Sequence, residues 1–227
     1  MSTTWRHAYR SFYYETMSDE LPDIALDPAV TALLVIDLQV CYLPQAPDPD
    51  PVEWNRWAPF RQRLETIVLP NTQKLLEKFR ALHSDVLFAR IACLTPDGRD
   101  RSLSQARPGF NNLLLPLHSP ESQILPQVAP LPDEIVMVKT TDSALTGTNL
   151  RLLLTNLGIR NVVVCGIFTD QCVASTVRSL ADESFNAIVV DDACAAATDE
   201  LHRHELTIIN NIYCQVLTCD ETLTAIA

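Results

Sequence analysis

The chain reads as an α/β domain, doubly wound around a mostly parallel six-stranded sheet with helices on both faces. Three observations carry that reading. Short runs rich in Val and Ile recur along the 227 residues without strict alternation, as strands buried on both faces require. Helical patterns separate the later runs, which implies βα units joined by right-handed crossovers. Runs end on chemically capable side chains, and in open α/β sheets ligands bind beyond the carboxyl ends of the strands.

Taken in order, the first run is ALLVI at 32–36, closed by Asp37. The second, DVLFARIAC at 85–93, follows a helical pattern that sets Leu75, Leu76, Phe79 and Leu82 on one face. EIVMV at 134–138 is the third and is closed by Lys139. NVVVCG at 161–166, NAIVVDD at 186–192 and CQVLT at 214–218 complete the set. Residues 148–158 read as a helix with Gly158 in the C′ position. Residues 170–183 read as another, with Asp170 as the N-cap candidate and Val173, Val177, Leu180 and Ala181 at helical spacing. A third helix, over 198–212, sets Leu201, Ile208, Ile209 and Ile212 together. The domain is expected over 31–227, after an N-terminal extension at 1–30. Two proline-rich segments, 41–60 and 94–133, break the pattern; long loops of this kind serve as lids, as oligomer contacts or as plain surface elaboration.

Composition narrows the function. Seventeen Lys and Arg against 28 Asp and Glu give a net charge of −11. Nucleic acid and anionic membrane both demand a basic footprint, so neither is expected as a partner. No run approaches the length of a membrane span, and the N-terminal segment has no apolar core of a secretory signal, so a cytoplasmic protein is expected. Only five glycines occur, none before Gly98, and they cannot assemble a dinucleotide fingerprint, a P-loop or a hydrolase nucleophile elbow. Seven cysteines without C-x-x-C spacing point to reduced thiols rather than a disulfide framework or zinc knuckle.

The chemistry is therefore sought at the strand ends. Cys172, in GIFTDQCV, falls in the first turn of a helix, where the orphan N–H groups and the dipole favour a thiolate, and a nearby lysine favours it further. It can equally be a buried helix cysteine facing the sheet, which is the expectation for the strand cysteines Cys165 and Cys214. Asp37 suits a helix cap or solvated strand end, and suits equally a group that takes a thiol proton and later gives it to a leaving amine. Lys139 suits a snorkelling strand-end lysine as well as a catalytic cation. Together the three supply nucleophile, base and cation on one edge of one sheet.

Three segments, TALLVIDLQ, VKTTDSALTGTNLRLLLTNLGIRNVVVCGIFTDQCVASTVRSLAD and VVDDACAAATDELH, resemble the isochorismatase-like cysteine hydrolases. That family includes nicotinamidases, N-carbamoylsarcosine amidohydrolases, biuret hydrolases and ureidoacrylate amidohydrolases, and the resemblance runs from about Thr31 to Leu223. It implies strand order 3-2-1-4-5-6, Cys172 as nucleophile, Asp37 as general acid/base and Lys139 as the charged third member. It also implies a cis peptide between Ile167 and Phe168, with the backbone N–H groups of Phe168 and Cys172 forming an oxyanion hole. The implied activity is hydrolysis of a C–N bond in a small amide, carbamoyl or ureido compound through a thioester.

Departures from the family refine the expectation. The segment after the first strand lacks the histidines with which metal-dependent nicotinamidases bind their ion, so neither a metal nor another cofactor is expected. Isochorismatase proper acts on a vinyl ether without a cysteine nucleophile; that activity on another small molecule, or a non-catalytic scaffold, is the alternative. Asp142, three residues beyond Lys139, is read as a pocket carboxylate selecting N–H donors or a cationic group, or else as an Asp capping the turn before the helix at 148. Gln39, Trp54, Trp57 and Phe168 complete the substrate-binding candidates. A homodimer or homotetramer is expected by family resemblance.

Overall fold

The computed structural model describes residues 9–14, 24–44, 49–108 and 113–226. Of the N-terminal extension, then, only 9–14 and 24–30 are described, and Pro47 and Gly109 lie outside the described residues. Six strands form one sheet: β1 (Thr31–Ile36), β2 (Val86–Ile91), β3 (Ile135–Lys139), β4 (Asn161–Ile167), β5 (Asn186–Ala195) and β6 (Gln215–Leu217). Every neighbouring pair is parallel, in the order β3-β2-β1-β4-β5-β6. The expected order and the observed one agree.

Period-two side-chain alternation explains why β1 is apolar throughout. Leu33 and Val35 enter one core, while Ala32, Leu34 and Ile36 enter the other. Helix α3 (Leu69–Ala81) brings Leu75, Leu76 and Phe79 to the first core, and α8 (Cys219–Ala225) joins it there. The opposite face is covered by α5 (Leu150–Asn156), α6 (Ala174–Asp182) and α7 (Asp199–Ile209), through residues such as Leu154, Val177 and Leu206. β3 is the exception: as an edge strand it leaves Val136 exposed.

The proline-rich segment after β1 is more regular than its composition suggests. It forms two short helices, α1 (Pro51–Arg56) and α2 (Ala58–Arg63). Asp50 caps α1 by accepting from the Val52 N–H, and Pro51 takes the first-turn position where a missing N–H costs nothing. A π-helical turn, Leu64–Val68, links α2 to α3 just before Pro70, which has no N–H to continue an α pattern. Among the described residues of 94–133 there is one four-residue helix, α4 (Leu103–Ala106), with short 3-10 turns beyond it.

One glycine is dictated by a close approach. Gly166 pairs with Ile36 on β1 at φ +119, and a Cβ there would overlap the Ile36 carbonyl oxygen. The register between β4 and β5 also shifts beside it, so that Gly166 faces Cys194. The Gly166→Ala variant is therefore expected to lose about 3 kcal/mol or more of stability, read as a fall in the urea midpoint. A midpoint equal to wild type would contradict this account of the β1–β4 contact.

Candidate active site

The topology sends the chain from β1 to one side of the sheet and then, through β4, to the other, so a crevice opens where β1 and β4 diverge. Asp37 follows β1 directly in a left-handed conformation, φ 53, which aspartate tolerates better than most residues. Its N–H donates to Ala89 O at 2.8 Å, and its carbonyl accepts from Gln39 N at 2.8 Å. Lys139 ends β3, two strands away, which is roughly 10 Å at the usual strand spacing. Its stem crosses the end of β2, and Nζ meets Asp37 Oδ2 at 2.7 Å.

From the other side comes Cys172. A cis peptide joins Ile167 to Phe168 at the end of β4, and Thr169–Val173 forms a π-helical turn leading into α6. Within that turn, Cys172 Sγ accepts from Lys139 Nζ at 3.2 Å. Lys139 thus touches both the carboxylate and the sulfur, with the Thr141 carbonyl as a further acceptor at 3.2 Å. Asp37 and Lys139 are almost fully buried, 2% and 1% exposed.

Burial governs the protonation states. It pushes the Asp37 carboxyl above the usual range, against the opposing charge of Lys139. For Lys139, burial favours the neutral amine, but the charges of Asp37 and Cys172 outweigh it and hold the ammonium. The Cys172 thiol lies well above its usual value, first through burial and then through the neighbouring Asp37 charge, with Lys139 opposing both. This corrects the sequence expectation of a thiolate stabilised at a helix start. Burial and the neighbouring Asp37 charge both favour the thiol form of Cys172. Asp170 is also placed differently: Phe168 holds the N-cap position, and Asp170 lies inside the first turn with a buried Oδ1 lacking a partner.

Above the sulfur lies a cavity of about 620 Å³. Trp54, Trp57, Phe168 and Asp142 line it, as the sequence reading expected of pocket residues. Tyr42 and Phe60 line it too, and were not anticipated; with Trp57 they surround the Phe168 ring at centroid distances of 5.2, 5.0 and 6.0 Å for Tyr42, Phe60 and Trp57. Asp142 Oδ1 stands 3.9 Å from Cys172 Sγ and accepts from Gln105 Nε2 at 3.3 Å. The N-cap of the following helix is Asn149.

Gln39 is corrected from a substrate ligand to a structural clasp. Its amide donates to Ile91 O at 2.9 Å and Ser122 O at 2.8 Å, and accepts from Ile91 N at 2.9 Å, so its polar atoms are engaged by backbone. Behind the turn that carries Cys172 lies a second network absent from the sequence reading. Thr169 Oγ1 lies 2.7 Å from His202 Nδ1, and His202 Nε2 lies 2.8 Å from Asp191 Oδ1. Arg63 Nη2 lies 3.0 Å from the same imidazole nitrogen, and Tyr9 donates to Asp191 Oδ2 at 2.7 Å. Among the described residues, no group of three His, Cys, Asp or Glu side chains is placed to share a metal ion.

The profile of the isochorismatase domain matches residues 31–221. The chain belongs to the isochorismatase family. Similar curated proteins include the uncharacterized isochorismatase family protein YecD of Escherichia coli O157:H7, 29% identical over 212 residues, covering 89% of this chain and 100% of that one. The ureidoacrylate amidohydrolase RutB of Rhizobium rhizogenes is 26% identical over 210 residues, 85% of this chain and 83% of its own. Among solved structures, an isochorismatase family protein from Burkholderia thailandensis superposes with a TM-score of 0.72 at 27% identity, covering 90% of this chain and 98% of the other. This isochorismatase-family chain is accordingly a hydrolase by family, and among its described residues no helix is long and apolar enough to cross a membrane.

The two tasks considered for Gln39 differ in a measurable way. A clasp whose removal strips the Ile91 N–H of its side-chain acceptor and takes one donor each from the Ile91 and Ser122 carbonyls predicts that Gln39→Ala lowers stability by about 2–4 kcal/mol in urea unfolding. A loss under about 0.5 kcal/mol, the usual effect of a substitution away from such features, would favour a binding role instead.

Proposed function

We propose that the protein is a cysteine-dependent amidohydrolase, cleaving a C–N bond of a small amide, carbamoyl or ureido compound. The observation that supports it most is the single cation, Lys139, in contact with both a base and a sulfur on the floor of an open cavity. A structural ion pair needs no third, nucleophilic partner facing a void.

The reaction follows from these contacts. Asp37 takes the Cys172 proton as the sulfur attacks the carbonyl carbon, and the S–C bond forms while the carbonyl π pair moves to oxygen. Lys139 stays charged throughout and stabilises whichever neighbour carries the negative charge. The oxyanion is received by the backbone N–H groups of Phe168 and Cys172. Asp37, now protonated, gives its proton to the nitrogen as the C–N bond breaks, releasing ammonia or an amine. Water, deprotonated by Asp37, attacks the thioester; the acid leaves and the proton returns to sulfur. Asp37 is suited to both directions because burial raises its affinity for the proton while the charge of Lys139 opposes that rise. The relative named as a ureidoacrylate amidohydrolase agrees with this bond class.

The test is an ammonia-release screen across amides, carbamoyl amino acids and ureides, run beside Cys172→Ala. Hydrolysis of at least one compound is expected, falling by more than about 100-fold in the variant. Retained turnover in Cys172→Ala would exclude the mechanism. The pH profile of kcat/KM gives a second check. Asp37 must be ionised in the free enzyme, and its carboxyl sits above the ordinary value of 3.8. Activity should therefore fall with acid at a pH clearly above 3.8, and an acid limb at or below that value would assign the base elsewhere.

A further inference from the structure

The reacting cluster and its surroundings carry an unbalanced charge. Asp37 and Lys139 offset each other, the resting thiol is neutral, and Asp142 adds a carboxylate within 3.9 Å of the sulfur. One neutral donor, the Gln105 amide, meets that carboxylate. Among the described residues lining the cavity, the other charged side chains are Arg61 and Glu53, one of each sign, which leaves the lining with one excess negative charge. Arg61 is held against Trp54, lying 3.5 Å from the ring centroid and donating to the Trp54 carbonyl at 2.6 Å. Glu53 adds a second carboxylate, paired with Arg56 at 3.2 Å.

The same cavity is rich in aromatic rings. Tyr42, Trp57 and Phe60 pack around Phe168, and all four rings line the same cavity as Asp142. Ring faces attract cations, and they do so more strongly where water is excluded. A cavity lined by a carboxylate and an aromatic wall repels an anion, offers little to a neutral polar group and suits a positive one. The charge of −11 on the chain biases encounter the same way.

Resting on the amidohydrolase reading, we infer that the substrate carries a positively charged group, held between Asp142 and the aromatic wall while the amide carbon meets Cys172. A cation there also aids the chemistry. The Asp142 charge disfavours the thiolate that must form beside it, and a bound cation offsets that charge as the proton leaves for Asp37. An ammonium three bonds from the carbonyl carbon lies about 4 Å from it, the span of one backbone Cα–Cα step, which matches the separation of Asp142 from the sulfur.

Three primary amides of one length separate the possibilities: that of N,N,N-trimethyl-β-alanine, its neutral isostere with carbon in place of the quaternary nitrogen, and succinamate. Calorimetry on Cys172→Ala measures their binding without turnover. The trimethylammonium amide is expected to bind about tenfold or more tighter than its isostere, and succinamate weakest. Adding Asp142→Asn should shrink the preference to within about threefold. Equal or tighter binding of the neutral or anionic amide, a preference untouched by Asp142→Asn, or no binding of the cationic amide would each overturn the inference. The hydrolase reading fails separately, if ammonia release from any amide that wild type cleaves survives in Cys172→Ala.

Discussion

The structure depends on one buried ion pair. Asp37 and Lys139 come from strands that are not neighbours, and their charged groups meet where neither is open to solvent. Desolvating each ion costs several kcal/mol, and loss of one partner would leave the other stranded at a cost of about 3–5 kcal/mol. The fold holds the pair through the register of three strands rather than through side-chain choice. Ile36 aligns with Ala89 and Ile91 with Lys139, which sets how far apart the two stems begin. Cys172 then completes the arrangement by presenting sulfur to the same ammonium.

Such a pair is a poor source of stability and a useful source of reactivity. The Asp37 carboxylate is buried, so a proton on it relieves a desolvation cost already built into the folded state. The surrounding shell keeps the geometry from relaxing. The Gln39 clasp ties the end of β2 to the loop that carries Ser122. On the far side, the Thr169–His202–Asp191 chain fastens the turn bearing Cys172 to β5 and α7, and Arg63 links it to α2. The aromatic wall grows from the same scaffold, since Phe60 on α2 packs against Phe168 at the end of β4.

Much of this was legible in the residues. Continuous Val and Ile runs located the strands because burial on both faces removes alternation, and Asp37 and Lys139 stood out as polar groups closing apolar runs. The edge strand β3 showed the limit, since a run alone does not tell a central strand from a border one. Proline density in 41–60 hid α1 and α2, although Asp50-Pro51 is a legitimate helix start; with those helices hidden, Phe60 could not be aimed at the pocket. The Cys172 thiol was misjudged because a helix start argues for a thiolate only while it is near solvent. Depth of burial, which reverses the sign, is a tertiary property. His202 escaped for a similar reason: its partners lie 11 and 33 positions away in the chain.

The central claim is that Cys172, served by Asp37 and Lys139, bonds covalently to the carbonyl carbon of an amide. Acid-quenched mass spectrometry of the enzyme during turnover tests it most directly. The account predicts an acyl adduct on the peptide containing Cys172, converted to a hydroxamate by hydroxylamine and absent from Cys172→Ala. Turnover at full rate with no adduct on Cys172 under single-turnover sampling, and with none released by hydroxylamine, would contradict it.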